Sequence, residues 1–195
     1  MFKKNITILS ATLSIFSSLA FSSHVVARDL SYTSVGITYK QINSDVGGSA
    51  IQHDLSFAVS DNMFVAGSFT DGDYDFGGQI SAFDFVLGAH TAIDENTDLV
   101  AAVSYAKSES ELVTVSGEFE TFSFSVGVRS IINDVLELNA GLGYVNPTDL
   151  HEDTYIQLGA AFYATEALSF RIDFTTNDRI MLAPNALNLS LRLDM

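Results

Sequence analysis

Cysteine is absent from the 195 residues, proline occurs only twice, and 9 lysines and arginines face 24 aspartates and glutamates. Without cysteine there is no disulfide framework, no thiolate metal site and no lipid-modified N-terminal cysteine. A formal net charge of −15 excludes the basic surface that a nucleic-acid backbone requires, so no nucleic acid is expected as a partner. Charged residues make up 17% of the chain and hydrophobic ones 47%, which excludes a disordered chain. Long apolar runs are missing as well: beyond the first segment nothing approaches the roughly 20 residues of a membrane-spanning helix. The length suits one domain.

Residues 1–27 read as a secretory signal peptide. Lys3 and Lys4 form its charged start, Ile6 to Phe21 is apolar with small polar interruptions, and Val25-Val26-Ala27 offers small residues at the cleavage site. Cleavage after Ala27 removes two lysines and no acids, leaving residues 28–195 as the folded domain with 7 basic and 24 acidic groups.

The remainder alternates with period two. Apolar rows run through Val35-Ile37-Tyr39, Ile51-His53-Leu55-Phe57-Val59, Val65-Gly67-Phe69, Phe83-Phe85-Leu87-Ala89 and Leu99-Ala101-Val103-Tyr105. They continue through Phe122-Phe124-Val126-Val128, Leu136-Leu138-Ala140-Leu142-Tyr144, Ile156-Leu158-Ala160-Phe162, Leu168-Phe170-Ile172-Phe174 and Leu187-Leu189-Leu191-Leu193. That makes ten candidate strands, and helical spacing fits none of them as well. Tight turns are expected at Asp61-Asn62, Ile132-Asn133-Asp134 and Thr165-Glu166-Ala167, with a somewhat longer one from Thr91 to Thr97. Longer polar segments fall near 41–49, 71–78, 108–117, 147–153 and 176–184. Short connections on one side and longer ones on the other define an up-and-down antiparallel meander.

Five odd-numbered strands end their apolar row, on the longer-loop side, with an aromatic ring: Tyr39, Phe69, Tyr105, Tyr144 and Phe174. Closure into a barrel would set these rings at one height, as an aromatic girdle at a membrane interface.

The intervening rows decide which way the apolar faces point. Ser123-Ser125-Gly127, Asn139-Gly141-Gly143, Gln157-Gly159-Ala161 and Val100-Ala102-Ser104 are poor in charge and rich in small residues. They suit the crowded interior of a narrow barrel, with the apolar rows facing lipid. After residue 27 the only lysines are Lys40 and Lys107, both near expected loop ends. A soluble edge-bearing sheet normally uses lysine and proline against aggregation, and this chain has almost none of either. Seven ionisable residues take the inward phase: Asp54, Asp84, Arg129, Glu137, Arg171, Asp173 and Arg192. Both signs are present, so pairing across the lumen is expected, as structural plugs first and a narrow ion path second. His53 is an anomaly in the lipid-facing row.

These features together resemble the small Gram-negative outer-membrane β-barrel proteins of the broad OmpA/OmpX-like group. The best local phrase runs from Leu87-Gly88-Ala89-His90 through Asn96-Thr97-Asp98-Leu99-Val100 to Tyr105, and the chain ends on an alternating strand, Leu187 to Met195. The resemblance implies insertion by the barrel-assembly machinery reading that final strand, and contact with outer-membrane lipid and lipopolysaccharide. Members usually end on an aromatic residue, where this chain has Met195. Eight strands are common in the group and would follow here if the weaker pairings were bends.

Some outer-membrane barrels are proteases with Asp and His at the rim, or lipid A-modifying enzymes using Ser and His. Catalysis needs a base near a nucleophile or an activated water. His90 belongs to the short-turn side, and His151 sits beside Asp149, Glu152 and Asp153 with no nucleophile placed by spacing; no enzyme is expected. Asp71-Gly72-Asp73-Tyr74-Asp75 alternates three carboxylates but lacks the downstream glutamate of a full calcium loop, so it reads as a solvated acidic cap, like Ser108 to Glu120. Nothing demands a cofactor or metal. The expected protein is an all-β, closed transmembrane barrel of about ten strands with a structural or surface-interaction role and at most a narrow pore. Its runner-up is a soluble periplasmic lipocalin-like carrier with the apolar rows inside.

Overall fold

A computed structural model describes residues 33–43, 47–75, 77–112, 115–133, 135–148, 152–165, 167–177 and 185–195. The expected signal peptide and His151 lie outside these. Ten strands form one sheet: β1 (Ser34–Asn43), β2 (Gly48–Ser60), β3 (Met63–Tyr74), β4 (Gly78–Asp94), β5 (Thr97–Leu112), β6 (Val115–Asn133), β7 (Leu136–Pro147), β8 (Asp153–Tyr163), β9 (Leu168–Asn177) and β10 (Asn185–Asp194). Each pairs antiparallel with its neighbours in sequence, and β1 pairs with β10 to close a barrel. Closure matters physically, because it leaves no unpaired strand edge.

The stagger of the barrel follows from its register. A row of pairing partners that leaves β6 at Arg129 passes Asp173 on β9 and Lys40 on β1. It returns to β6 at Gly117, twelve residues away (129 minus 117). Ten strands with that stagger tilt by roughly 40° around a cylinder of about 10 Å radius.

The side of the barrel where β1 begins and β10 ends is built from tight turns, each opened by a side chain that accepts a backbone hydrogen bond. Ser60 Oγ accepts from Asn62 N (3.4 Å), Asp94 Oδ1 from Asn96 N (2.8 Å), Asn133 Oδ1 from Val135 N (3.0 Å) and Thr165 Oγ1 from Leu168 N (3.0 Å). Such residues satisfy backbone donors that a tight turn strands. On the opposite, loop side, Gly47 (φ 59°) and Gly77 (φ 82°) adopt the left-handed backbone that other residues disfavour.

Several segments expected as loops are strand. β3 reaches Tyr74, β5 reaches Leu112 and β6 begins at Val115, so most of 71–78 and 108–117 is paired. The expected longer turn from Thr91 to Thr97 narrows to Glu95 and Asn96. The physical reason is that backbone pairing continues beyond the membrane level. There the outer face of a strand meets water and carries polar residues such as Asp71, Asp73, Glu109 and Glu118, so the apolar row that reveals a strand stops before the strand does. The wall β4–β6, with 17, 16 and 19 residues, is the tallest as a result.

Part of the buried core lies inside the barrel near the turn side, where Phe64, Val86, Val100 and Ala102 pack together with Ala66 against them. The Phe64 ring lies over Gly88 of the adjacent strand, occupying the place of a side chain there.

Candidate functional site

The inward and outward faces are chemically opposite. All ten apolar rows point outward, and most of their large side chains are exposed, from Val35 on β1 to Leu193 on β10, with Val65, Val126, Leu136, Leu168 and Leu187 half-buried. Around the barrel they form a band about nine residues tall. At ~2.4 Å of axial rise per residue this is roughly 22 Å, close to the apolar band of barrels that sit in a bilayer. The soluble-carrier expectation required these rows inside and is corrected here: the face presented outward is apolar, and the lumen holds the charges. His53 remains outward and exposed between Ile37 and Phe69. Tyr39, Phe69, Tyr144 and Phe174 are exposed on the outer face and Tyr105 is half-buried in the same phase, and the register places them within about two residues of one level. Tyr105 is tilted 53° against Phe122 at 5.1 Å between ring centres.

All seven ionisable residues expected in the lumen point inward. Six are buried and Asp54 is intermediate. The structure brings them together in a way the sequence does not reveal. Near the turn side, Arg129 on β6 binds Glu137 on β7 through two hydrogen bonds, from Nε to Oε1 and from Nη2 to Oε2, the latter 3.1 Å. Tyr163 on β8 donates to the same carboxylate at 2.9 Å. Arg171 pairs with Asp173 two residues along β9 (2.6 Å), and Arg192 with Asp194 two residues along β10 (2.9 Å). Nearer the loop side, Asp54 accepts from Gln52 and from Thr38 Oγ1 (2.9 Å). Thr70 Oγ1 donates to Gln52 Oε1 at 3.1 Å.

Sequence reading missed three members of this interior. Lys40, expected near a loop end, points inward and is 0% exposed, with the Asp54 and Asp84 carboxylates as the negative charges acting on it. Its phase, opposite Tyr39, was the available signal. Asp194 was overlooked as the chain's penultimate residue, and His90 was assigned only to a strand end although it is inward and buried. The interior is also less uniformly small and polar than expected, since Phe64, Tyr74, Ile80 and Tyr155 are buried within it.

Chemistry at the rims stays unassembled. Asp71 and Asp73 project from the same outer face of β3, and the extended strand holds them roughly 6–7 Å apart instead of wrapping them round an ion. Among the described residues no group of three or more His, Asp or Glu side chains converges as metal ligands. Above the band the outer face of β3–β6 is acidic. Glu109 stands directly opposite Glu118, and Lys107 Nζ reaches Glu118 Oε1 at 2.8 Å. Tyr144 donates its hydroxyl to Glu152.

No protein-family model matches the chain, and no curated protein matches it either. Solved structures do. The chain is similar to a COG4313 outer membrane channel from Pseudomonas putida F1, with TM-score 0.58 and 11% identity over 88% of this chain and 98% of that one. It is also similar to the KdgM porin, with TM-score 0.52 and 6% identity over 83% of this chain and 99% of that one. The same porin in complex with disordered oligogalacturonate gives the same values. At such identities the likeness carries the fold: this chain is a ten-stranded transmembrane β-barrel of the outer-membrane type.

Proposed function

We propose that the chain, cleaved after Ala27, is an outer-membrane barrel whose lumen is closed by its own side chains. Its work is structural or done at its surface, with no enzymatic activity. The observation that carries this reading is the burial of the inward face, where Lys40, Gln52, Glu137 and Thr175 are each 0% exposed. A water-filled channel would wet such side chains. On this reading the seven ionisable residues and Lys40 act as an ion-paired plug, and the five aromatic rings are a girdle at the headgroup level of the lipopolysaccharide leaflet. Insertion would use the barrel-assembly machinery and the final strand. A lumen filled by side chains also supports kinship with the OmpA/OmpX-like barrels, in which interior and side-chain volume match.

A narrow pore is the second reading. The observation in its favour is that ionisable groups of both signs occur from the turn side (Arg129) to the middle of the lumen (Asp84).

Two measurements on the outer-membrane fraction test the proposal. SDS electrophoresis with and without boiling should show a compact band that slows on heating. Planar bilayers containing the purified protein should show no current steps. An unshifted band in the periplasmic fraction would remove the membrane reading, and regular current steps would replace closure with the pore.

A further inference from the structure

The charges of the lumen fall into two sets that balance differently. At the turn side each cation has an anion of its own: Arg129 with Glu137, Arg171 with Asp173 and Arg192 with Asp194. In the middle of the barrel one lysine faces two carboxylates, since the charges acting on Lys40 are those of Asp54 and Asp84. Asp54 is the better satisfied of the two. Gln52 and Thr38 both donate to it, and Thr38 lies on β1, the strand that also carries Lys40. That leaves Asp84, on β4 and only 3% exposed, as the excess negative charge. A charge shielded from water is sustained only where one of opposite sign meets it.

The surroundings of Asp84 are rich in hydroxyl oxygen. Its direct pairing partner on β3 is Ser68, and Ser68 is also the direct partner of Asp54 on β2. One row across three strands therefore carries two carboxylates with a hydroxyl between them. From β5, Ser104 hydrogen-bonds the Asp84 carboxylate and lies 2.7 Å from Ser123 Oγ of β6. Even so, Asp84 Oδ1 and Ser68 Oγ are both buried and have no hydrogen-bond partner among the described residues. They project into the lumen from paired positions on adjacent strands, whose backbones run about 4.8 Å apart. Carboxylate and hydroxyl oxygens are hard ligands, suited to hard cations. The charge count selects the valence. One positive charge balances Lys40, Asp54 and Asp84, whereas a divalent ion would leave an excess of the other sign.

Resting on the closed-lumen reading, we infer that Asp84 Oδ1 and Ser68 Oγ bind a sodium ion inside the barrel, as the counter-ion that completes the charge balance of the mid-lumen plug.

Urea unfolding of the purified barrel in uncharged detergent micelles tests this, with the compact, heat-modifiable band as the readout. Sodium chloride is compared with choline chloride at the same concentration and at pH 8, where few protons compete for a carboxylate. The wild-type chain should unfold at higher urea in sodium. Sodium at about ten times its dissociation constant raises the folded-to-unfolded ratio roughly tenfold. Asp84→Asn, which removes the excess charge and keeps the shape, should fold in both salts and lose the difference. Ser68→Ala keeps the charge and removes one ligand, so its difference should be smaller than in the wild type. Glu109→Gln/Glu118→Gln, on the outer face, should keep the wild-type difference, which separates the lumen from the acidic rim. If Asp84→Asn does not give the compact band, Asp84→Ser takes its place. A wild-type midpoint that is equal in the two salts overturns the site, and so does a sodium effect that survives the loss of the Asp84 carboxylate. Regular current steps from the wild-type chain in planar bilayers would instead overturn the closed-lumen reading itself.

Discussion

Gly159 on β8 sits directly opposite Asp173 on β9, and the Asp173 carboxylate occupies the space that any side chain at 159 would need. A Cβ at this glycine would fall under 3.0 Å from Asp173 Oδ1 and from both terminal atoms of the Asn139 amide. Asp173 has little freedom to retreat, because Arg171 holds it at 2.6 Å. Gly159→Ala is expected to destabilise the barrel by about 1–3 kcal/mol through overpacking. Urea unfolding in detergent micelles, followed by the heat-modifiable band, measures it. An unchanged midpoint would mean that the Arg171–Asp173 pair shifts freely.

Breaking the Arg129–Glu137 pair should cost more than removing it. Arg129→Met leaves a 0% exposed carboxylate with only Tyr163 as a neutral donor, an expected loss of about 3–5 kcal/mol. The double variant Arg129→Met/Glu137→Met should recover much of that, since no buried charge remains. The same unfolding assay decides it, and equal losses in the single and double variants would contradict the paired-plug account.

The lipid-facing assignment has a direct test at Leu158, which is 52% exposed in the apolar band. Leu158→Arg should cost about 2–4 kcal/mol in a membrane barrel. In a water-exposed sheet the same change would be close to neutral. Folding yield into vesicles, compared with Asn146→Arg above the band, separates the two.

The chain contains no tryptophan, so single replacements report depth without background. Tyr39→Trp and Tyr144→Trp should be quenched best by lipids brominated near the headgroup. Ile172→Trp, in the middle of the band, should respond best to bromines deep in the acyl chains. If the Tyr39 and Tyr144 replacements report different depths, the girdle is not one ring.

Lys107 lies above the apolar band, and its pairing with Glu118 raises the ammonium pKa above the ordinary lysine value. A raised folded-state pKa stabilises fully below the unfolded value and is lost as pH rises through the folded one. The stability difference between wild type and Lys107→Gln should therefore be flat from about pH 6 to about pH 9 and shrink only in stronger alkali. Unfolding midpoints at a series of pH values measure it. A difference that fades below pH 9 would assign the effect to another group.

Much of this architecture is written locally. Alternation from Val35 to Leu193 determined ten strands, their inward and outward faces, and the inward phase of Asp54, Asp84, Arg129, Glu137, Arg171, Asp173 and Arg192, because a one-residue phase error would turn a whole row to the wrong medium. Tight turns were legible at Asp61-Asn62, Asn133 and Thr165 for the same kind of reason, since the side chains of Ser60, Asn133 and Thr165 bond the backbone within three residues. Strand ends at Tyr74, Leu112 and Val115 were not legible, because above the membrane the outer face is no longer apolar and the alternating row that marks a strand stops.

What only the closed barrel decided is who meets whom across the lumen. The partner of Glu137, the burial of Lys40, the seat of Tyr155 over Gly143 and the crowding of Gly159 by Asp173 all depend on the twelve-residue stagger. That stagger is set when β10 finds β1, by pairs such as Tyr39 with Leu189, separated by nearly the whole chain. Local periodicity sets the direction each side chain takes. The height at which it meets the others is a property of the closed sheet.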